Sequence, residues 1–145
     1  MLELRPPTDP VTVGESVRPL VEAVSHDKDG VAVGGYDTVA YFEDGRAVKG
    51  RSELNVEYAG VVWRFASEKH RKQFLSDAAR YIPQFGGYCA YAVAKGYTAT
   101  ADPTVWRVVD GKLYLNYNRA VQRVWEDSHA ELIELASKNW PSLHK

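Results

Sequence analysis

The sequence predicts an α+β domain, with a small antiparallel sheet from two β-hairpins packed with several short helices. Three observations carry this. Two segments alternate apolar and polar residues around a glycine-containing turn, at Ala59-Gly60 and Asp110-Gly111. Each is followed by a residue able to cap a helix, Ser67 and Asn118. Hairpins followed by helices, and not strands alternating with long helices, belong to the α+β class.

The elements follow in order. Residues 1–25 read as a proline-broken arm with a short helix over residues 16–24, capped by Ser16 with Pro19 in its first turn. The domain proper, residues 26–145, opens on a turn from His26 to Gly30. Val31 to Val33 is a short apolar strand, broken by Gly34-Gly35. Asp37 caps a single helical turn that Gly45 closes. The first hairpin pairs Asn55–Tyr58 with Val61–Phe65. Ser67 then caps a helix over Glu68–Ser76, with Phe74 and Leu75 facing the core and His70, Arg71 and Lys72 outside. Pro83 ends the next turn. Gly87 to Lys95 is small and apolar enough for a buried helix stopped by Gly96. The second hairpin pairs Val105–Val109 with Lys112–Asn116. Asn118 caps a helix to about Asp127, Ser128 caps the last helix to about Asn139, and Pro141 stops it. No repeat of the solenoid kind and no low-complexity segment is visible.

Bulk properties narrow the function. The 145 residues make one ordinary domain, 45% hydrophobic and 26% charged, which excludes a disordered or fibrous chain. A net charge of -1 and a pI near 6.4 provide no basic field for nucleic acid or anionic lipid. A single cysteine excludes an internal disulfide and a multi-cysteine zinc site. No apolar run is long enough to span a membrane. Met1 to Glu15 lacks the basic start and apolar core of a secretory signal, so the chain reads as cytoplasmic, or as exported if a signal was removed.

The most informative stretch is Tyr81-Ile-Pro-Gln-Phe-Gly-Gly-Tyr-Cys-Ala-Tyr-Ala92. Its double glycine brings backbone where a Cβ would clash, and its thiol, Cys89, lies among aromatic rings. A thiolate is a good copper(I) ligand that histidine or aspartate would complete. A small buried thiol is equally a packing residue. None of His26, His70, His129 and His144 is spaced as a ligand pair with another histidine or with Cys89. Asp37 reads first as a helix cap and second as a ligand or its orienter, and Asp102 as a turn initiator. No paired carboxylates suggest acid–base catalysis. Tyr36, Tyr41, Trp63, Tyr88 and Tyr91 are core aromatics or the lining of a small-ligand pocket beside the thiol.

Gly35-Tyr-Asp-Thr-Val-Ala-Tyr-Phe42, Tyr58-Ala-Gly-Val-Val-Trp-Arg-Phe-Ala-Ser67, Phe74, Tyr81 to Ala90 and Asp110-Gly-Lys-Leu-Tyr-Leu-Asn116 together resemble the YHS-domain proteins, in particular the small stand-alone bacterial type. The likeness covers roughly residues 29 to 143. It departs at Thr38, where those proteins usually carry proline. The resemblance implies a compact α+β domain associated with metal sensing and trafficking, in a group with many exported members. The expectation is therefore a metal-handling module, copper first and zinc or iron next, with Cys89 in the site and Asp37, His70 and His26 as candidate ligands. The alternative is a non-catalytic ligand- or protein-interaction module in which Cys89 only packs. Expected partners are a metal ion or small ligand and, through Cys89 of each copy, a homodimer. A redox enzyme with Cys89 as nucleophile is the lesser reading, since no histidine adjoins it in sequence.

Overall fold

The chain runs twice through one supersecondary unit in the computed structural model, which describes residues 19–145. Each unit begins at a left-handed turn ending in two glycines, enters a short helix, crosses a hairpin and closes on a longer helix. The first comprises the turn Val33–Gly35, α1 (Thr38–Glu43), β1 (Arg51–Tyr58), β2 (Val61–Phe65) and α2 (Glu68–Ser76). A single turn, α3 (Ala78–Tyr81), leads to the second. That unit comprises the turn Gln84–Gly87, α4 (Ala90–Ala94), β3 (Asp102–Val109), β4 (Lys112–Asn116) and α5 (Arg119–Asp127). Helix α6 (His129–Asn139) and a turn at Trp140–Ser142 finish the chain. The fold is α+β as expected, and each hairpin is its own two-stranded antiparallel sheet.

The two units agree in detail. β1 pairs with β2 from Tyr58↔Val61 to Asn55↔Arg64, then shifts register before Arg51↔Phe65. β3 pairs with β4 from Val109↔Lys112 to Trp106↔Leu115, then shifts at the same place before Asp102↔Asn116. Both hairpins turn through two positive-φ residues, Ala59-Gly60 and Asp110-Gly111, whose twist suits a two-residue loop. Trp63 meets Phe74 of α2 at 5.5 Å between ring centroids, and Tyr114 meets Trp125 of α5 at the same separation. Even the left-handed turns match: φ is 55, 58 and 81° along Val33-Gly34-Gly35 and 56, 62 and 83° along Phe85-Gly86-Gly87. Across the paired hairpins and long helices only Gly60 and Gly111 are identical residues. The turns share Gly34-Gly35-Tyr36 and Gly86-Gly87-Tyr88, with Ala40 and Ala92 four residues on, while the hairpins and long helices repeat the backbone and not the side chains.

Each unit has its own core. Val61, Trp63 and Phe65 pack on Phe74 in the first, and Tyr88, Val93, Tyr114 and Trp125 cluster in the second. Strand β4 is buried on both faces, because Leu113 and Leu115 join Tyr41 of the first unit.

Several expectations are corrected. His70 is buried, at 8% exposure, and Leu75 is exposed, at 55%. His70 lies one helical turn before Phe74 and so shares its inward face, while Leu75 points away. Helix α4 begins only at Ala90. Before it, Cys89 is held extended, its N–H donating to Ala99 O at 2.9 Å. Val31 makes a single bridge to Val62, and Val33 already belongs to the left-handed turn. Ser128 makes no side-chain cap bond to α6. Of the helix expected over residues 16–24, the described part is not helical. Val21 bridges to His144, and Ser25 N–H donates to Gly86 O at 2.8 Å. The rest lies outside the described residues. Among those, no helix is long and apolar enough to cross a membrane.

Candidate functional site

The left-handed turn at Phe85-Gly86-Gly87 sets the position of Cys89. A Cβ on Gly86 would come 2.0 Å from Ala23 O, so the chain passes that point only as glycine. Cys89 follows fully buried, flanked by the bridge to Leu115 of β4. Its thiol donates to Asn116 Oδ1 at 3.6 Å, and the same oxygen accepts Tyr91 N–H at 3.0 Å. The second bond fixes which way the amide faces and leaves Asn116 Nδ2 buried without a partner among the described residues.

On its other side Cys89 walls a cleft of about 260 Å³, with Tyr91, Ala92, Tyr97, Ala99, Tyr117 and Val121. Tyr97 and Tyr117 form its rim, 44% and 54% exposed. Lys95 Nζ stands 5.4 Å from the centroid of the Tyr91 ring. Among the described residues no charged side chain lines the cleft.

A second polar centre lies in the first unit. Asp37 Oδ1 caps α1 by accepting Val39 N–H at 2.9 Å and Ala40 N–H at 3.1 Å. Its Oδ2 accepts Ala66 N–H at 2.8 Å and lies 2.7 Å from His70 Nδ1. A carboxylate only accepts, so Nδ1 carries the proton and Nε2 faces Asp44 Oδ1 at 3.9 Å. Asp37 thus caps one helix and anchors the next.

His26 belongs to neither place. It is exposed, its Nδ1 bonds its neighbour's carbonyl at Asp27 O, 2.9 Å away, and it borders a separate cavity of about 160 Å³ with Ser25, Val33 and Pro103. Cys89, Asp37, His70 and His26 therefore do not make one site. Among the described residues no three histidine, cysteine or carboxylate side chains come together as metal ligands. Both oxygens of Asp37 are committed to N–H donors, and the polar side-chain partner of Cys89 is an amide, so these residues do not fit a shared metal centre.

Of the five aromatics expected around a ligand, only Tyr91 lines the cleft. Tyr41 donates its hydroxyl to Pro103 O at 2.6 Å, Trp63 its Nε1–H to Tyr58 O at 2.8 Å, and Tyr88 its hydroxyl to Glu22 O at 3.0 Å. Their polar ends hold the core together, and burial pushes the Tyr41 and Tyr88 phenols above the usual range. Tyr36 is half-buried and bridges to Lys49. Sequence reasoning missed Tyr97, Tyr117, Ala92, Ala99 and Val121. One signal was present: Tyr117 stands between Asn116 and the cap Asn118, where an aromatic ring has no strand or helix face to cover.

No protein-family model matches the chain, and neither a curated protein nor a solved structure does.

Proposed function

We propose that the chain is a YHS-type, non-catalytic binding module that holds a small ligand in the cleft beside Cys89. The observation that carries this reading is the cleft itself: about 260 Å³, walled by tyrosines and small residues, with two tyrosines exposed at its mouth. Small-molecule sites are concave, mostly apolar and edged by a few polar groups. An exposed aromatic pair costs solubility and is kept where something covers it. The polar chemistry of the first unit, Asp37 with His70, is consumed in joining two helices.

The test is native mass spectrometry of untagged protein purified without chelator, beside Val121→Phe, which fills the cleft. A small molecule retained by the wild type and absent from the variant supports the reading. No retained molecule, together with no thermal stabilisation by any member of a broad fragment set, overturns it.

The soft sulfur of Cys89 in the cleft wall favours one second reading, capture of copper, zinc or iron by Cys89 with donors from a ligand or from Cys89 of a second copy. Elemental analysis of wild type and Cys89→Ser decides it. Near-stoichiometric metal lost in the variant supports this reading, and metal content equal in both rejects it.

A further inference from the structure

The two units place different chemistry at one position. In the first, Asp37 follows Gly35-Tyr36, and its N–H donates to Val48 O at 2.8 Å. In the second, Cys89 follows Gly87-Tyr88, and its N–H donates to Ala99 O at 2.9 Å. The facing helices match as well. His70 N–H donates to the cap Ser67 Oγ, and Val121 N–H donates to the cap Asn118 Oδ1. Val121 is therefore the counterpart of His70, as Cys89 is of Asp37.

Carboxylate and imidazole touch in the first unit, at 2.7 Å, and fill the space between the two helices. Thiol and isopropyl group are each smaller. The cleft is lined by both Cys89 and Val121. It lies where the first unit holds its own histidine ring.

A third exchange accompanies these two. Phe65, fully buried at the end of β2, is replaced at the end of β4 by the equally buried Asn116. A fully apolar core would keep the phenylalanine. Asn116 stands behind the cleft wall, and its Oδ1 accepts from the Cys89 thiol and the Tyr91 N–H, so the exchange fixes two residues that line the cleft.

We infer that the cleft takes an uncharged planar aromatic ligand of one or two rings, seated where the first unit holds the imidazole of His70. This rests on the binding reading above and names its ligand class. Size agrees, since an apolar cavity of about 150 Å³ takes up benzene, and this cleft is larger. Tyr91, Tyr97 and Tyr117 line the cleft, and aromatic rings pair favourably by offset or edge-on stacking. A cationic ring would lose water to a lining with no carboxylate among the described residues, and with Lys95 beside Tyr91.

The experiment is a backbone-amide NMR titration of the full chain with indole, and with cyclohexanol as a non-aromatic probe. Saturable shifts centred on Tyr91, Tyr97 and Tyr117 are expected for indole. Val121→His, which restores the ring of the first unit, and Val121→Phe should weaken indole by about tenfold or more, with Leu135→Ala unchanged. Tyr97→Ala, at the exposed rim, carries the same test with little bearing on folding and should weaken indole several-fold. Indole affinity unchanged in the Val121 and Tyr97 variants, or no saturable shift, overturns the inference. Cyclohexanol binding as tightly as indole, and lost in Val121→Phe, sinks the ring class and leaves the binding reading standing. Neither probe shifting the cleft while the fragment set also fails sinks both.

Discussion

Asp37 Oδ2 lies 2.7 Å from His70 Nδ1, joining the residue that caps α1 to the inward face of α2. One buried carboxylate accepts four N–H groups: Val39, Ala40, Ala66 and His70. Four donors offset the cost of taking a carboxylate out of water.

Asp37→Asn keeps the shape but puts an N–H against a donor at one of these contacts. Loss of about 2–3 kcal/mol is expected, since hydrogen bonds to a charged group are strong and an orphaned donor costs more than a bond gains. His70→Leu should cost about 1–3 kcal/mol by removing one donor and leaving Oδ2 short. Urea denaturation measures both, and an unmoved midpoint for either would show the pair to be energetically idle.

Gly86 and Gly45 separate backbone strain from collision. Both have positive φ, 62° and 66°, but a Cβ on Gly45 meets nothing within 4 Å, whereas one on Gly86 falls 2.0 Å from Ala23 O. Gly45→Ala should cost about 1 kcal/mol, the left-handed penalty alone. Gly86→Ala should cost clearly more, because the segment around Ala23 must move and the Ser25 to Gly86 bond at 2.8 Å breaks. Equal losses in a thermal melt would refute the collision argument.

Rebuilding the first unit's pair in the second tests their equivalence. Cys89→Ala should cost only about 1 kcal/mol, as loss of a small buried group. Cys89→Asp buries a carboxylate without a cation or ring donor and should cost about 3–5 kcal/mol. Adding Val121→His should recover about 1–3 kcal/mol beyond the sum of the single changes, read from a double-mutant cycle. A coupling of zero would mean that the two positions do not face each other as Asp37 and His70 do.

Alkaline pH should destabilise the fold in a defined window. Burial holds the phenols of Tyr41, Tyr88 and Tyr114 above the usual phenol range. The folded state binds these protons more tightly than the unfolded chain does. Stability is therefore intact below about pH 10 and falls as pH rises above it, where the unfolded chain ionises first. Ultraviolet titration should show part of the nine tyrosines ionising late and together with unfolding. All nine ionising in one step on a folded protein would contradict this.

Local punctuation is legible along the chain. Ser67, Asn118 and Asp37 cap the helices expected of them, and Ala59-Gly60 and Asp110-Gly111 turn the two hairpins. Caps and turns act over a few residues, through one side chain and the next backbone N–H, so they are legible in order along the chain. The clash implied by the double glycine was legible for the same reason, although its partner, Ala23, was not. Tertiary structure decided the rest. Whether His70 or Leu75 faced inward depended on which helix face Phe74 turned to the hairpin. The cleft draws on two stretches of the chain, Cys89 to Ala99 and Tyr117 to Val121, so no single local pattern marks it. In the hairpins and long helices the repeat is carried by backbone hydrogen bonds and caps, which many side chains satisfy equally, and only the Gly-Gly-Tyr at residues 34–36 and 86–88 marks it in the sequence. Only in three dimensions does Val121 come to stand where His70 stands, with space left beside it.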